Sequence, residues 1–153
     1  MKKIIVVTGV SDRGKSETIN EAYDILRSKY PGADVKELFR RRKNTRDIKV
    51  LITINGVKIG IESQGDPKST VRLFVSLPEF VDMGCEVIVC AAHENSITMG
   101  EVNKYAGEYQ IIPLPHEKDI GSELEQRTRN MKTAASIVAE IEKSLARTKA
   151  ANL

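Results

Sequence analysis

Three short runs along the chain consist mainly of apolar residues and are separated by more polar stretches. They cover residues 4–8, 87–92 and 109–114. Apolar runs of this length are typical of strands that are buried on both faces of a mostly parallel sheet. The pattern therefore predicts two buried strands, of which the first is followed by Gly9, and a third strand at residues 109–114. A weaker run at residues 33–39 predicts a further short strand.

The segments between these runs have the three-and-four spacing of apolar residues that marks one face of a helix. The first helix is expected from Lys15 onward and is ended by Pro31-Gly32. Asp66-Pro67 is typical of a helix N-cap followed by proline in the first turn. Pro78 then either kinks this helix or begins a second short one. Another short helix is expected at residues 98–106.

A long C-terminal helix is predicted from Ser122. Ser122 and Glu125 have the spacing of a capping box, which satisfies backbone N–H groups at a helix start. The residues expected to form the buried face of this helix are apolar and recur at helical spacing: Leu124, Met131, Ala135, Val138 and Leu145. The tail beyond Arg147 is expected to fray.

The dipeptide Asn55-Gly56 separates two runs rich in β-branched residues. Asparagine and glycine tolerate the positive φ angles of a two-residue type I′ turn. Residues 49–54 and 57–61 are therefore predicted to form an antiparallel hairpin. Together with the alternation of strands and helices, this predicts an α/β fold: a three-layer sandwich with a mostly parallel sheet and one antiparallel hairpin strand.

Length and composition set limits on this picture. A chain of 153 residues, 41% hydrophobic and 29% charged, is long enough for one domain, which we place at residues 1–150. Since no stretch approaches the roughly 20 apolar residues of a membrane span, we expect a cytoplasmic protein with no membrane partner. The formal charge of +3 is small, and Cys85 and Cys90 are expected to be buried, reduced thiols.

One segment carries a specific chemical motif. The run Gly9-Val10-Ser11-Asp12-Arg13-Gly14-Lys15-Ser16, here called the 9–16 segment, matches G-x-x-x-x-G-K-[ST] at every fixed position. Glycine lets the backbone turn its N–H groups toward an anion, and the following helix begins with a partial positive charge. Lys15 can then reach the β- and γ-phosphates, and the Ser16 hydroxyl can bind Mg²⁺. The sequence therefore predicts a site for a nucleoside triphosphate with magnesium, formed by this segment and the adjoining Glu17.

With this motif placed after a strand and before a helix, the chain resembles the P-loop NTPase superfamily. The order of motif, helix, basic loop and hairpin is similar to that of small GTPases. Their D-x-x-G motif supplies an acid for magnesium and a glycine that meets the γ-phosphate. The corresponding run here is Glu62-Ser63-Gln64-Gly65, with Asp66 as a rival metal ligand. The resemblance implies that Glu62 assists the metal, that Gly65 approaches the γ-phosphate and that Gln64 orients a water for hydrolysis.

The residues that follow the strand at 87–92 are the ones expected to select the base of the nucleotide. Small GTPases have an N-K-x-D motif there that selects guanine, whereas this chain has Ala91-Ala92-His93-Glu94-Asn95. ATP is therefore expected, with GTP as the alternative, and the chain also resembles small P-loop kinases. His93 and His116 follow predicted strands at the edge where ligands bind in α/β sheets. Each could contact the base or be a loop histidine without a role.

Five of the seven residues in the run Arg40-Arg41-Arg42-Lys43-Asn44-Thr45-Arg46 are cations. This run and Asp47 are expected to form an exposed loop between the first helix and the hairpin. The run could bind an anionic substrate, supply an arginine to a transferring phosphoryl group, or be a solvated loop. Three functions stay open. The first is an NTPase or a small-molecule or nucleotide kinase, with Lys15, Glu62 and Gln64 acting in catalysis. The second is a nucleotide-dependent switch that a protein partner recognises, and the third is a nucleic-acid-associated NTPase that uses the basic run.

Overall fold

The computed structural model describes residues 2–9, 12–38, 47–63, 69–92, 97–116 and 121–151, with the backbone alone at residues 12–13, 69–74 and 149–151. Strands and helices alternate along these residues. In chain order the elements are β1 (Lys3–Thr8), α1 (Asp12–Lys29), β2 (Asp34–Glu37), β3 (Lys49–Ile54), β4 (Val57–Glu62), α2 (Ser69–Asp82), β5 (Val87–Ala92), α3 (Ile97–Asn103), β6 (Gln110–Pro115) and α4 (Glu123–Ala151).

The strands of the described residues form one sheet in the order β2-β3-β4-β5-β1-β6. β1 pairs in parallel with β5 and β6, and β4 pairs in parallel with β5. β3 is antiparallel to both of its neighbours. All six residues of β1 are buried, as expected for a strand between two parallel partners. The predicted α/β fold, with a mostly parallel sheet and one antiparallel hairpin strand, is confirmed.

Two apolar clusters lie on opposite faces of the sheet. On one face, Ile5 and Val7 of β1 pack with residues of α1 and α4. On the other face, Ile4 and Val6 pack with Phe80 of α2 and with residues of α3. The division follows from the alternation of side chains along a strand, which sends neighbouring residues to opposite faces. Helices therefore cover both faces of the sheet, as the predicted three-layer sandwich requires.

The hairpin between β3 and β4 is turned by Asn55-Gly56, as predicted. Both residues have positive φ angles, 51° for Asn55 and 81° for Gly56. The turn reverses the chain, so the first residue of β3, Lys49, lies opposite the last residue of β4, Glu62. The residues just before β3 therefore lie at the edge where β1, β4, β5 and β6 end. We call this the carboxyl edge of the sheet.

Helix α4 differs from its prediction in the face that it buries. The N-cap half of the predicted capping box is confirmed, because the Glu125 backbone N–H donates to Ser122 Oγ at 3.2 Å. However, Leu124 and Met131 are 72% and 43% exposed, and Ala135 is also exposed. Val138 and Leu145 are buried as predicted, and the rest of the buried face is formed by Asn130, Ala134, Ile137, Ile141 and Ser144. This face is rotated from the predicted one because α4 packs against the sheet and α1 together. The helix also continues to Ala151 and does not end near Arg147.

Polar contacts at both ends hold α1 against α4. Near the start of α1, Asn130 Nδ2 donates to Glu17 Oε2 at 3.3 Å. Near its end, Lys29 Nζ and the Tyr30 hydroxyl donate to the carboxylate of Glu142 at 3.0 and 2.9 Å. The hydrogen bond from Lys29, followed by that from Tyr30, lowers the pKa of Glu142. The contacts of Glu142 therefore stabilise the fold above the usual pKa of glutamate, and the stabilisation is lost as the pH falls through the lowered pKa of Glu142.

The two cysteines are buried free thiols, as predicted. Burial raises the pKa of Cys85 to about 11, although the positive charge of Lys58 opposes the change. Burial, with a further contribution from the charge of Glu62, also raises the pKa of Cys90. Since the thiolate is the reactive form of cysteine, neither residue is a candidate nucleophile at neutral pH.

None of the helices that the structure describes has a stretch both long and apolar enough to cross a membrane.

Candidate functional site

The 9–16 segment follows β1, which ends at Thr8, at the carboxyl edge, and its residues from Asp12 onward form the start of α1. Helix α1 begins at Asp12, three residues before the predicted start, so Gly14, Lys15 and Ser16 belong to its first turns. Lys15 is fully buried, and its Nζ donates to the carbonyl oxygen of Gly9 at 2.9 Å. This bond joins Gly9 and Lys15, which are two of the fixed positions of the motif.

Gly9 lies against the backbone of His116. A Cβ atom at position 9 would lie 2.5 Å from the His116 carbonyl oxygen, which is closer than carbon and oxygen can approach without a shift. The His116 backbone N–H donates to the Thr8 carbonyl at 2.7 Å, which extends the pairing of β1 with β6 to the edge of the sheet. The structure therefore places His116 next to the 9–16 segment, where it is 7% exposed.

A carboxylate that the sequence prediction missed contacts this segment. Ser16 Oγ donates to Asp47 Oδ1 at 3.0 Å. Asp47 is half-buried and lies just before β3, whereas the sequence suggested an exposed loop at this position. It is held there by its neighbour Ile48, whose backbone N–H donates to Ser63 Oγ at 2.8 Å. The direction of the hairpin could have revealed this contact, because an antiparallel β3 must begin at the carboxyl edge.

Glu62, the acid predicted to assist the metal, is the last residue of β4 and is 1% exposed. It lies one position beyond the Ile61–Val89 pair, which brings it beside Cys90 of β5. The charge of Glu62 contributes to the raised pKa of Cys90, in agreement with this placement. Because β5 separates β4 from β1, Glu62 is two strands from β1, or about 10 Å at the usual strand spacing.

The other predicted site residues are only partly described. Asp12 and Arg13 lie in the first turn of α1, and their side chains are outside the described residues. Glu17 is exposed on α1 and accepts its hydrogen bond from Asn130 of α4. The remaining predicted residues lie outside the part of the chain that the structure describes: Ser11, Gln64, Gly65, Asp66, His93 and the basic run from Arg40 to Arg46.

The arrangement presents hard oxygen donors beside a helix start. The Ser16 hydroxyl and the Asp47 carboxylate are in contact, and the backbone N–H groups of the first turn of α1 lie in the same segment. Mg²⁺ in phosphate sites typically takes one or two carboxylates and completes its shell with phosphate and water oxygens. The donor pair fits such an ion. Among the residues described here, no cluster of three or more histidine, cysteine or acidic side chains could hold a metal ion.

Comparisons of this chain with protein-family models, with curated proteins and with solved structures found no match.

Proposed function

We propose that this chain is a P-loop NTPase that binds a nucleoside triphosphate, preferably ATP, with Mg²⁺ and hydrolyses or transfers its γ-phosphate. The observation that carries the proposal is the position of the complete G-x-x-x-x-G-K-S motif. It follows a buried parallel strand and includes the start of α1, at the carboxyl edge of the sheet. Ligands of open α/β sheets bind at that edge, and a helix start offers free N–H groups and a positive partial charge to an anion.

The residues of the segment have distinct roles in this proposal. The N–H groups at the start of α1 bind the phosphates. Lys15 leaves the Gly9 carbonyl, to which it now donates, and neutralises the β- and γ-phosphates. Phosphoryl transfer requires mainly positioning and charge stabilisation, so no nucleophilic side chain is needed. The two buried cysteines, which are not candidate nucleophiles, are consistent with this chemistry.

The magnesium ligands in this proposal are Ser16 and Asp47, with Glu62 as the second carboxylate. A bound Mg²⁺ would supply positive charge to the phosphate oxygens. Asp47 is favoured as the nearer acid because it accepts the hydrogen bond from Ser16 at 3.0 Å. Glu62 lies at the same edge but belongs to a strand that is separated from β1 by β5.

The proposal is tested by thermal unfolding of the purified chain with ATP, GTP, ADP and GDP, each with and without Mg²⁺. A ligand at 100 times its Kd stabilises the folded state by about 2.7 kcal/mol, which corresponds to a Tm increase of about 5–10 °C for a chain of this size. We expect the largest increase with ATP and Mg²⁺. The proposal of nucleotide binding is wrong if none of the four nucleotides changes the Tm. Phosphate release, with and without candidate acceptors, then measures turnover.

Asp47→Asn is expected to raise the Mg²⁺ concentration needed for half of the ATP-dependent stabilisation by about tenfold or more, in line with other losses at metal sites. Asparagine retains an oxygen that can accept the hydrogen bond from Ser16, but it lacks the negative charge that attracts the ion. The measurement is a Mg²⁺ titration at fixed ATP, followed by thermal unfolding. Asp34→Asn, on the exposed edge strand β2, removes the same charge away from the site and should leave the titration unchanged.

Glu62→Gln in the same titration compares the two acids. A smaller effect than that of Asp47→Asn agrees with the proposed ligand set. A larger effect would assign the metal to Glu62 and would contradict the role given to Asp47.

A nucleotide-dependent switch is the second candidate function, and one contact favours it. Asp47 ends the segment that includes the basic run, and it contacts Ser16, the proposed metal ligand. Binding of Mg²⁺ by Ser16 would change its hydrogen bond with Asp47, so occupancy of the site would alter the chain at the base of that segment. Slow phosphate release together with tight nucleotide binding would support the switch over the enzyme.

A further inference from the structure

Helices α1 and α4 lie side by side in the same direction with a constant offset. The Asn130–Glu17 hydrogen bond, at 3.3 Å, and the Lys29–Glu142 ion pair, at 3.0 Å, both join residues that are 113 positions apart. The two contacts lie near opposite ends of α1. Residues of the two helices that share this offset are therefore level with one another, so Arg127 of α4 is at the height of Gly14 in the 9–16 segment.

Arg127 also lies on the side of α4 that meets α1. At 3.6 residues per turn, it is about 60° around the helix from Asn130 and about 60° from Glu142, between the two residues that contact α1. Side chains of a helix lean toward its N-terminus, which for α4 is the direction of the carboxyl edge. Arg127 is exposed, so its guanidinium is accessible to a ligand at the start of α1.

Within the described part of the chain, the Arg127 guanidinium has no ion-pair partner. Glu123, four residues earlier on the same helix, would be a usual partner for it. Yet none of the hydrogen bonds or ion pairs of the described residues involves Arg127. The neighbouring acid Glu17 accepts its hydrogen bond from Asn130 instead.

We infer that Arg127 binds the phosphates of the nucleotide, so that α4 forms one wall of the site. This inference rests on the proposed function and extends it to a part of the chain outside the motif. A guanidinium can donate two parallel hydrogen bonds to phosphate oxygens. Because Arg127 is level with Gly14 at the first turn of α1, it binds the phosphates that di- and triphosphates share. It therefore contributes to affinity for both and not to transfer of the γ-phosphate.

The test compares Arg127→Ala with Arg129→Ala. Arg129 is on the same helix but lies about 160° from Arg127 around its axis, away from α1. The two variants thus lose the same charge at nearly the same height. The Kd values of ATP and ADP with Mg²⁺ are measured by isothermal titration calorimetry at two salt concentrations.

We expect Arg127→Ala to raise both Kd values by about tenfold, the usual effect of one charge-assisted contact, and to reduce their salt dependence. Arg127→Lys should recover part of the affinity, and Arg129→Ala should stay within about twofold of wild type. The inference is overturned if Arg127→Ala binds like wild type, or if Arg129→Ala weakens binding equally, which would indicate a general charge effect.

Lys15→Met, measured in parallel, separates the two proposals. If the wild type binds, Lys15→Met does not and Arg127→Ala is unaffected, the proposed function stands while Arg127 has no role. If the wild-type chain binds neither ATP nor ADP, both the proposed function and the role of Arg127 are contradicted.

Discussion

Lys15→Ala is expected to abolish the thermal stabilisation that ATP and Mg²⁺ give to the wild-type chain. The Lys15 side chain is fully buried, with its ammonium beside the Gly9 carbonyl, and with a nucleotide bound it would donate to two phosphate groups. Each hydrogen bond to a charged group contributes about 1.5–3 kcal/mol, so loss of both contacts should weaken nucleotide binding by about 100-fold or more. The measurement is the Tm with and without ATP and Mg²⁺.

A second variant and a control keep this result interpretable. Because Lys15 is buried, alanine leaves a space in the fold, whereas Lys15→Met keeps most of the side-chain volume and removes only the charge. Lys29→Met makes the same change in the last turn of α1, where the lysine is 53% exposed and pairs with Glu142. That control should respond to nucleotide like wild type. If Lys15→Met retained the full stabilisation, the 9–16 segment would not be the phosphate site.

Gly9→Ala is expected to destabilise the fold by about 1–3 kcal/mol, the usual cost of forcing extra volume into a packed site, and to impair nucleotide binding. The added Cβ would meet the His116 carbonyl oxygen at 2.5 Å. Relief of this overlap must move β6 away from the end of β1, and it weakens the hydrogen bond from His116 to Thr8. The Gly9 carbonyl that holds Lys15 would move as well. Urea unfolding with and without ATP measures both effects.

Gly32→Ala provides the matched control for this substitution. Gly32 is exposed in the turn after α1, and no atom lies within 4 Å of a Cβ placed there. The same change should therefore alter the free energy of unfolding by less than about 0.5 kcal/mol. Equal stability of Gly9→Ala and wild type would show that β1 and β6 separate at this edge without cost. The close approach of Gly9 to His116 would then have no structural importance.

Local patterns in the sequence predict much of the fold because their causes are local. The Asn55-Gly56 turn follows from the φ angles that these residues accept, and the capping box at Ser122 follows from a spacing of three residues. Strand β5 has the predicted bounds because its apolar run is continuous. Each feature depends on a few neighbouring residues, so distant parts of the chain do not change it.

The features that the sequence did not reveal depend on contacts between distant elements. The buried face of α4 is set by its contact with α1, which places Asn130 inside and Leu124 outside. The contact between Ser16 and Asp47 joins residues 31 positions apart and depends on the direction of β3. Within the candidate site, the motif itself was evident from the sequence. Its contacts with Asp47 and His116 required knowledge of the strand order.

The two buried cysteines make the chain convenient for fluorescence work. Both thiols are enclosed, and their raised pKa values keep them protonated at neutral pH, so maleimide dyes should spare them in the native protein. A cysteine introduced on the surface would then be labelled selectively without any change to the core. Thr128, exposed on α4 at the height of Lys15, is a suitable attachment point for a dye that reports events at the carboxyl edge.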